Sequence, residues 1–213
     1  MPMDFVVSSL LEGLPWIRHG FGTRRVQIPP DDFAGLKQIH SNLVLIADRE
    51  GMCGEGDALV TDRPGLAVAV RTADCYPILL ADSRNRAVAA VHAGWRGTRT
   101  HIVERAMEKM KVEFGSSPSD VHAAIGPGVG VCCYEVGEEV ARQFGGSGRM
   151  HLDLASENRK QLEAAGVAPQ NIEALGVCTF CDAERFFSYR REKEKAGRMT
   201  SYIRITRLSS PGN

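Results

Sequence analysis

Thr72-Ala73-Asp74-Cys75-Tyr76-Pro77-Ile78-Leu79-Leu80-Ala81-Asp82-Ser83-Arg84-Asn85-Arg86-Ala87-Val88-Ala89-Ala90-Val91-His92-Ala93-Gly94-Trp95-Arg96-Gly97 is the stretch that carries the architecture of this chain. Two apolar runs, Pro77–Ala81 and Ala87–Val91, flank the polar cluster Asp82–Arg86, the pattern of two strands joined by a turn. A turn centred near Arg84 and Asn85 makes the numbers of opposed residues in an antiparallel ladder add to about 168 or 169. Cys75 then faces Ala93 or Gly94, one step from His92. Directly opposed residues lie roughly 5 Å apart and diagonal ones about 7–8 Å. A thiol and an imidazole therefore reach the open end of one hairpin, where they can share a metal ion or a proton.

Further β-like runs surround the hairpin: Leu43–Ala47, Ala58–Thr61, Leu66–Val70, Val121–Ile125, Ile172–Cys178 and Ser201–Ile205. A helix is expected from Thr98 to Phe114, where Ile102, Ala106, Met110 and Phe114 recur every fourth residue and charged side chains cover the other face. Others are expected over Glu135–Phe144 and Leu154–Ala165, with Gly166 as the stop. Strands in runs followed by strands alternating with helices favour an α/β (α+β) layered sandwich of mixed sheets over a doubly wound parallel sheet. Gly126-Pro127-Gly128-Val129-Gly130 lacks the spacing of a dinucleotide fingerprint and reads as a tight turn. With no repeat, low-complexity tract or linker, residues 1–213 read as one domain.

The 213 residues are 43% hydrophobic, enough for a substantial core. Basic and acidic residues balance at 26 each, which argues against a nucleic-acid or acidic-membrane surface. No stretch is long and apolar enough to span a bilayer, and Met1–Arg24 lacks the basic n-region of a signal peptide. Six cysteines without an export signal read as thiols or ligands, and a cytoplasmic setting is expected.

Taken alone, His40, in Gln38-Ile39-His40-Ser41-Asn42, reads as a structural or surface residue before it reads as a ligand. Cys75 has Arg71 and Asp74 nearby, whose charges act on its thiol in opposite senses, so the hairpin geometry carries more weight than local charge. Gly94 and Gly97 beside His92 suit a close backbone approach or a plain strand-to-helix turn; Trp95 suits a core anchor. Arg96 has the fork geometry for phosphate, or caps a carbonyl. Two histidines and one cysteine make a three-ligand set with an open fourth position, the pattern of catalytic rather than structural zinc. A competing set joins Cys132-Cys133 to Cys178-Thr179-Phe180-Cys181. A single C-x-x-C is weak evidence and adjacent cysteines do not easily share an ion, so these four read as incidental or redox-sensitive.

The motifs His19-Gly20-Phe21-Gly22-Thr23-Arg24, Gln38-Ile39-His40, Gly56-Asp57-Ala58-Leu59-Val60-Thr61, Thr72-Ala73-Asp74-Cys75, His92-Ala93-Gly94-Trp95-Arg96-Gly97, Ile125-Gly126-Pro127, Cys133-Tyr134-Glu135-Val136, Phe186-Phe187-Ser188-Tyr189-Arg190-Arg191 and Gly197-Arg198-Met199 cover nearly the whole chain. In that order they resemble the YfiH-like family, whose members are described as multicopper polyphenol oxidase or laccase-domain proteins, purine nucleoside phosphorylases and peptidoglycan-editing factors. The resemblance implies a zinc site on His40, Cys75 and His92, with copper as the other candidate ion. It implies phosphorolysis of adenosine, inosine, guanosine and methylthioadenosine, and deamination of adenosine. Where family members usually carry a longer segment before Gln38, this chain has only Arg25–Lys37, which would alter or open the pocket.

The expected catalytic set is Cys75, His40, His92, Asp74 and Arg96, with Arg71 as a second phosphate holder. Asp74 would orient a ligand, act as a base, or cap the strand end. The expected partners are a small-molecule nucleoside and phosphate, with no nucleic acid and no membrane, for a monomer. A metal-free alternative makes Cys75 the nucleophile and His92 or His40 its base, acting on an amide bond such as one in a cell-wall precursor. A non-catalytic binding protein is the third reading, disfavoured by the clustered ionisable groups.

Overall fold

Both faces of the central hairpin are covered, which is why its two runs are apolar without alternation. The computed structural model describes residues 5–26, 28 and 32–207. Its strands are β1 (Ile17–Gly20), β2 (Ala34–Lys37), β3 (Val44–Ile46), β4 (Gly51–Glu55), β5 (Ala58–Thr61), β6 (Ala67–Thr72), β7 (Tyr76–Asp82), β8 (Ala87–Ala93), β9 (Val121–Ile125), β10 (Glu135–Val136), β11 (Met150–His151), β12 (Ile172–Ala174) and β13 (Met199–Ile205). The helices are α1 (Ser9–Glu12), α2 (Trp95–Arg99), α3 (Ile102–Phe114), α4 (Glu138–Gln143), α5 (Leu154–Ala164) and α6 (Tyr189–Glu192).

A mixed six-stranded sheet runs β12-β9-β7-β8-β5-β3 and a mixed five-stranded one runs β1-β13-β6-β2-β4. Side chains of β7 and β8 alternate between two cores. Ile78, Leu80, Ala89 and Val91 pack towards α3 and α5, against Val103, Met110 and Leu162. Leu79, Ala81, Val88 and Ala90 pack towards the second sheet, against Val68, Val70 and Ile203. Helices, six-stranded sheet and five-stranded sheet thus form the layered α/β sandwich expected. The hairpin pairs Tyr76 with Ala93 and Pro77 with His92, within the register expected from its turn. Buried Asp82 sets that turn by accepting from the amides of Arg84 and Asn85 at 2.9 and 3.0 Å.

The helix expected over Thr98–Phe114 is two helices. The Asn42 side chain donates to the Thr100 carbonyl at 2.9 Å, Gln161 donates to that of Thr98 at 2.7 Å, and His101 adopts a left-handed φ of 63°. The left-handed His101 cannot continue a right-handed helix, so α2 ends at Arg99 and α3 begins at Ile102. The helix expected from Glu135 starts at Glu138, because Glu135 and Val136 pair with β11. Strands β1, β2 and β4 escaped the periodicity because they are short and rich in glycine. Gln27, Pro29, Pro30 and Asp31 of the shortened segment lie outside the described residues, as do the chain ends at 1–4 and 208–213. Among the described residues no helix is long and apolar enough to cross a membrane.

His19 ties α1 to the five-stranded sheet. Its Nε2 accepts from the Ser8 amide at 2.9 Å, a bond only the neutral ring can make, and burial is the chief cause that pushes its pKa down to about 4. A folded pKa below the unfolded 6.5 means stability is intact above 6.5 and falls as pH drops towards 4. The His19 contribution to that loss is about 2 kcal/mol between pH 7 and 5. Chemical denaturation across this range should show a shallower decline for His19→Gln, whose amide oxygen can accept from Ser8; parallel curves would refute the assignment.

Candidate functional site

The site is assembled at the end of the hairpin that lies away from its turn. Cys75 follows β6 and precedes β7, His92 is the last residue but one of β8, and His40 sits in the crossing from β2 to β3. One ligand atom from each lies within 4.8 Å of the other two. The His40 and His92 rings are edge-to-face, 5.0 Å apart. Gly94 makes the approach possible: a Cβ there would stand 2.8 Å from Cys75 Sγ and 3.4 Å from the His40 ring. His92 is buried, Cys75 half-buried and His40 exposed, so the group runs from the core to the surface.

Asp57, unassigned on sequence, organises the group. It is fully buried just before β5. Its Oδ1 accepts from the His40 amide at 3.0 Å and from His92 Nδ1 at 2.7 Å. Its Oδ2 accepts from the Ser41 hydroxyl at 2.6 Å. One carboxylate thus holds His40 in its left-handed φ of 59° and fixes the His92 ring with Nε2 left over as its ligand atom. Burial would raise the Asp57 pKa, but hydrogen bonds from His92 and Ser41 outweigh it and hold it at about 2. Burial would likewise lower His92, but Asp57 and Cys75 raise it to about 9. Burial would raise Cys75, while bonds from His40 and His92 bring it down to about 6. Each of the two groups thus shifts the other towards its charged form, thiolate beside imidazolium. Two nitrogens and a soft thiolate, with a carboxylate behind one histidine, form a donor set that suits a borderline-soft divalent cation with one position left for water or substrate. The signal for Asp57 in sequence was a carboxylate joined directly to the largely apolar run Ala58–Thr61, a placement that demands partners.

The group opens into a cleft of 1110 Å³. Arg71, Arg190, Lys193 and Arg198 line it, together with Tyr134 and Tyr189. Arg96 is not part of the lining. Its guanidinium lies 4.4 Å from the Trp95 ring on α2, and its charge still acts on the Tyr134 phenol of the cleft wall. Asp74 lines the cleft in a left-handed φ of 83°, but both its oxygens serve the protein: Oδ1 accepts from the Thr179 hydroxyl at 2.8 Å and Oδ2 from the Arg190 amide at 2.6 Å. It fastens the start of α6, and with it Arg190, to the mouth of the hairpin. Arg190 falls in the run Tyr189–Lys195, whose interleaved acids read in sequence as a solvated loop or turn in which one arginine could hold an anion; Arg198 had no role assigned to it from sequence.

Comparison with known proteins identifies the family of this chain. The pattern of a family described as multi-copper polyphenol oxidoreductase laccase matches residues 21–206. A purine nucleoside phosphorylase of Deinococcus radiodurans is 46% identical over 188 residues, covering 83% of this chain and 72% of that protein. An adenosine deaminase from an unknown prokaryotic organism, RL5, is 36% identical over 192 residues, covering 79% and 72%. The crystal structure of the Bacillus licheniformis hypothetical protein YfiH superposes with a TM-score of 0.83 at 27% identity, covering 92% of this chain and 95% of that one. With shared pattern, relatives and fold, this chain belongs to the multi-copper polyphenol oxidoreductase laccase family, the YfiH-like proteins.

Proposed function

We propose that this protein is a zinc-dependent purine nucleoside enzyme that splits adenosine, inosine, guanosine and methylthioadenosine with phosphate and also deaminates adenosine. The observation that carries the reading is one cleft holding both the His40/Cys75/His92 donor set and a rim of four cationic side chains. The names borne by its relatives, purine nucleoside phosphorylase and adenosine deaminase, support the substrate class.

Zinc, when held by His40, Cys75 and His92, supplies Lewis acidity and an activated water at neutral pH. Arg190 and Arg198, with Arg71, hold the phosphate dianion and orient one oxygen towards ribose C1′. That oxygen forms the new C–O bond as the C1′–N9 bond breaks, and the purine leaves with the bonding pair and takes up a proton. Tyr134 and Tyr189 offer aromatic surface to the base or sugar. Asp74 keeps the arginine-bearing segment in place, as a positioning residue.

Copper remains the other ion the trio can take, but histidine supply speaks against several coppers. Of six histidines, His19 is engaged with Ser8 and His101 with Glu104, while His122 and His151 lie on β9 and β11. A second reading rests on the thiolate–imidazolium state: Cys75 as nucleophile towards an amide, with His92 as its acid–base partner. Incubating the protein with each nucleoside, with and without phosphate, distinguishes the two. The expected outcome is free base and ribose 1-phosphate only when phosphate is present, ammonia from adenosine without it, and loss of both after chelation. Base release indifferent to phosphate, or no turnover of any nucleoside, would refute the phosphorylase; amide hydrolysis that survives chelation would establish the second reading.

A further inference from the structure

The four remaining cysteines that sequence reasoning set aside are together in space. Side chains of adjacent residues diverge in a strand. Residues 131–133, however, form a turn, closed by the Cys133 and Tyr134 amides, which both donate to the Gly130 carbonyl at 2.9 Å. Both sulfurs consequently meet the same partner: Cys181 Sγ is 3.7 Å from Cys132 Sγ and 3.4 Å from Cys133 Sγ. On the facing loop a second turn, closed by the Asp182 amide on the Cys178 carbonyl at 3.1 Å, brings Cys178 alongside. All four sulfurs lie within 4.8 Å of one another.

These spacings match a tetrahedral ion and not a disulfide. Metal–sulfur bonds of about 2.3 Å place tetrahedral sulfurs about 3.8 Å apart, whereas a disulfide brings two to about 2.05 Å. The Gly130 amide donates to Cys178 Sγ at 3.2 Å, the kind of bond that supports a thiolate ligand. A Cβ at Gly130 would stand 3.3 Å from Cys132 Sγ and 3.1 Å from Cys178 Cβ, so glycine leaves the sulfurs room to close. We propose that Cys132, Cys133, Cys178 and Cys181 form a tetrathiolate site for one zinc ion, separate from the His40/Cys75/His92 group. None of the four lines the cleft, and four protein ligands leave no position for substrate, so the ion is structural.

The clamp joins two loops that build the cleft. Tyr134, next to Cys133, lines it. Thr179, between Cys178 and Cys181, donates to Asp74, and Arg191 donates to the carbonyls of Thr179 and Phe180 at 2.9 and 2.7 Å. Zinc here ties the wall bearing Tyr134 to the segment that Asp74 anchors.

The test is metal content of the full chain together with X-ray absorption at the zinc edge. Cys75→Ala, which leaves the quartet intact, should retain about one zinc per chain, surrounded by sulfur alone at about 2.3 Å. Cys178→Ser/Cys181→Ser should carry one zinc fewer than the unaltered protein. Combining all three substitutions should leave none. A Cys75→Ala protein that folds without zinc, holds iron in its place, or shows the four sulfurs as disulfides by non-reducing mass spectrometry would overturn the proposal. The Cys75→Ala measurement decides the matter even if the serine variants fail to fold, and it stands whether or not the cleft binds metal.

Discussion

Cys75→Ala is expected to lower nucleoside turnover by more than about 100-fold, to remove the cleft's zinc, and to leave the fold intact. The expected size follows from ranking: loss of a mere supporting partner behind a ligand already costs about 10–100-fold in affinity or activity, and Cys75 is itself a ligand and the only sulfur in its group. The side chain is half-buried at a hairpin mouth, not packed in either core, so alanine leaves no large cavity there. The variant should match the unaltered protein in circular dichroism and lie within a few degrees of it in Tm when both are measured with chelator. Turnover retained at full rate by a folded Cys75→Ala protein would exclude both the zinc mechanism and the nucleophilic thiolate. Cys75→Ser separates those two. A serine hydroxyl is a poor substitute for thiolate in holding zinc, so activity regained at high zinc concentration favours the ligand role.

Asp57→Asn should give the second largest effect, on two measurements at once. The carboxylate is fully buried and accepts from the His40 amide, the Ser41 amide and hydroxyl, and His92 Nδ1. Asparagine must turn its NH₂ towards one of these donors, leaving two donors opposed in a buried place. Removing one partner of a buried charged pair costs about 3–5 kcal/mol, which for a chain of this size is a fall in Tm of roughly 6–20 °C. This loss should persist in chelator, because it arises in the protein framework. Zinc affinity should fall about 10–100-fold besides, since His92 loses the carboxylate that orients its ring. Competition with a zinc chelator reads that directly. A variant as stable as the parent in chelator and equally avid for zinc would show that Asp57 does not organise the group. A folded pKa of about 2 against an ordinary 3.8 also makes Asp57 stabilising at neutral pH, with the contribution lost only as pH falls from about 4 towards 2. The decline at milder acidity belongs instead to His19, whose depressed pKa acts between 6.5 and 4.

Periodicity and turn chemistry made much of this protein legible before any coordinates. The run Pro77–Ala81, the polar cluster Asp82–Arg86 and the run Ala87–Val91 dictate a hairpin and its register to within one residue, which sets Cys75 against Ala93 or Gly94 and near His92. These are local consequences of side-chain alternation and of a turn that Asp82 closes with its own carboxylate. Residues far apart in sequence were decided by packing. His40 joins the group because Asp57, 17 residues away, claims its amide and the His92 ring together. Arg190 reaches the cleft because Asp74 holds its amide from 116 positions away. The four cysteines converge because a turn at 131–133 breaks the alternation expected of neighbours, and a second loop is folded against it. Chain order encodes contacts whose closure costs little entropy; long loops close only when buried polar groups and apolar faces have been satisfied elsewhere, and that balance exists only in the folded whole.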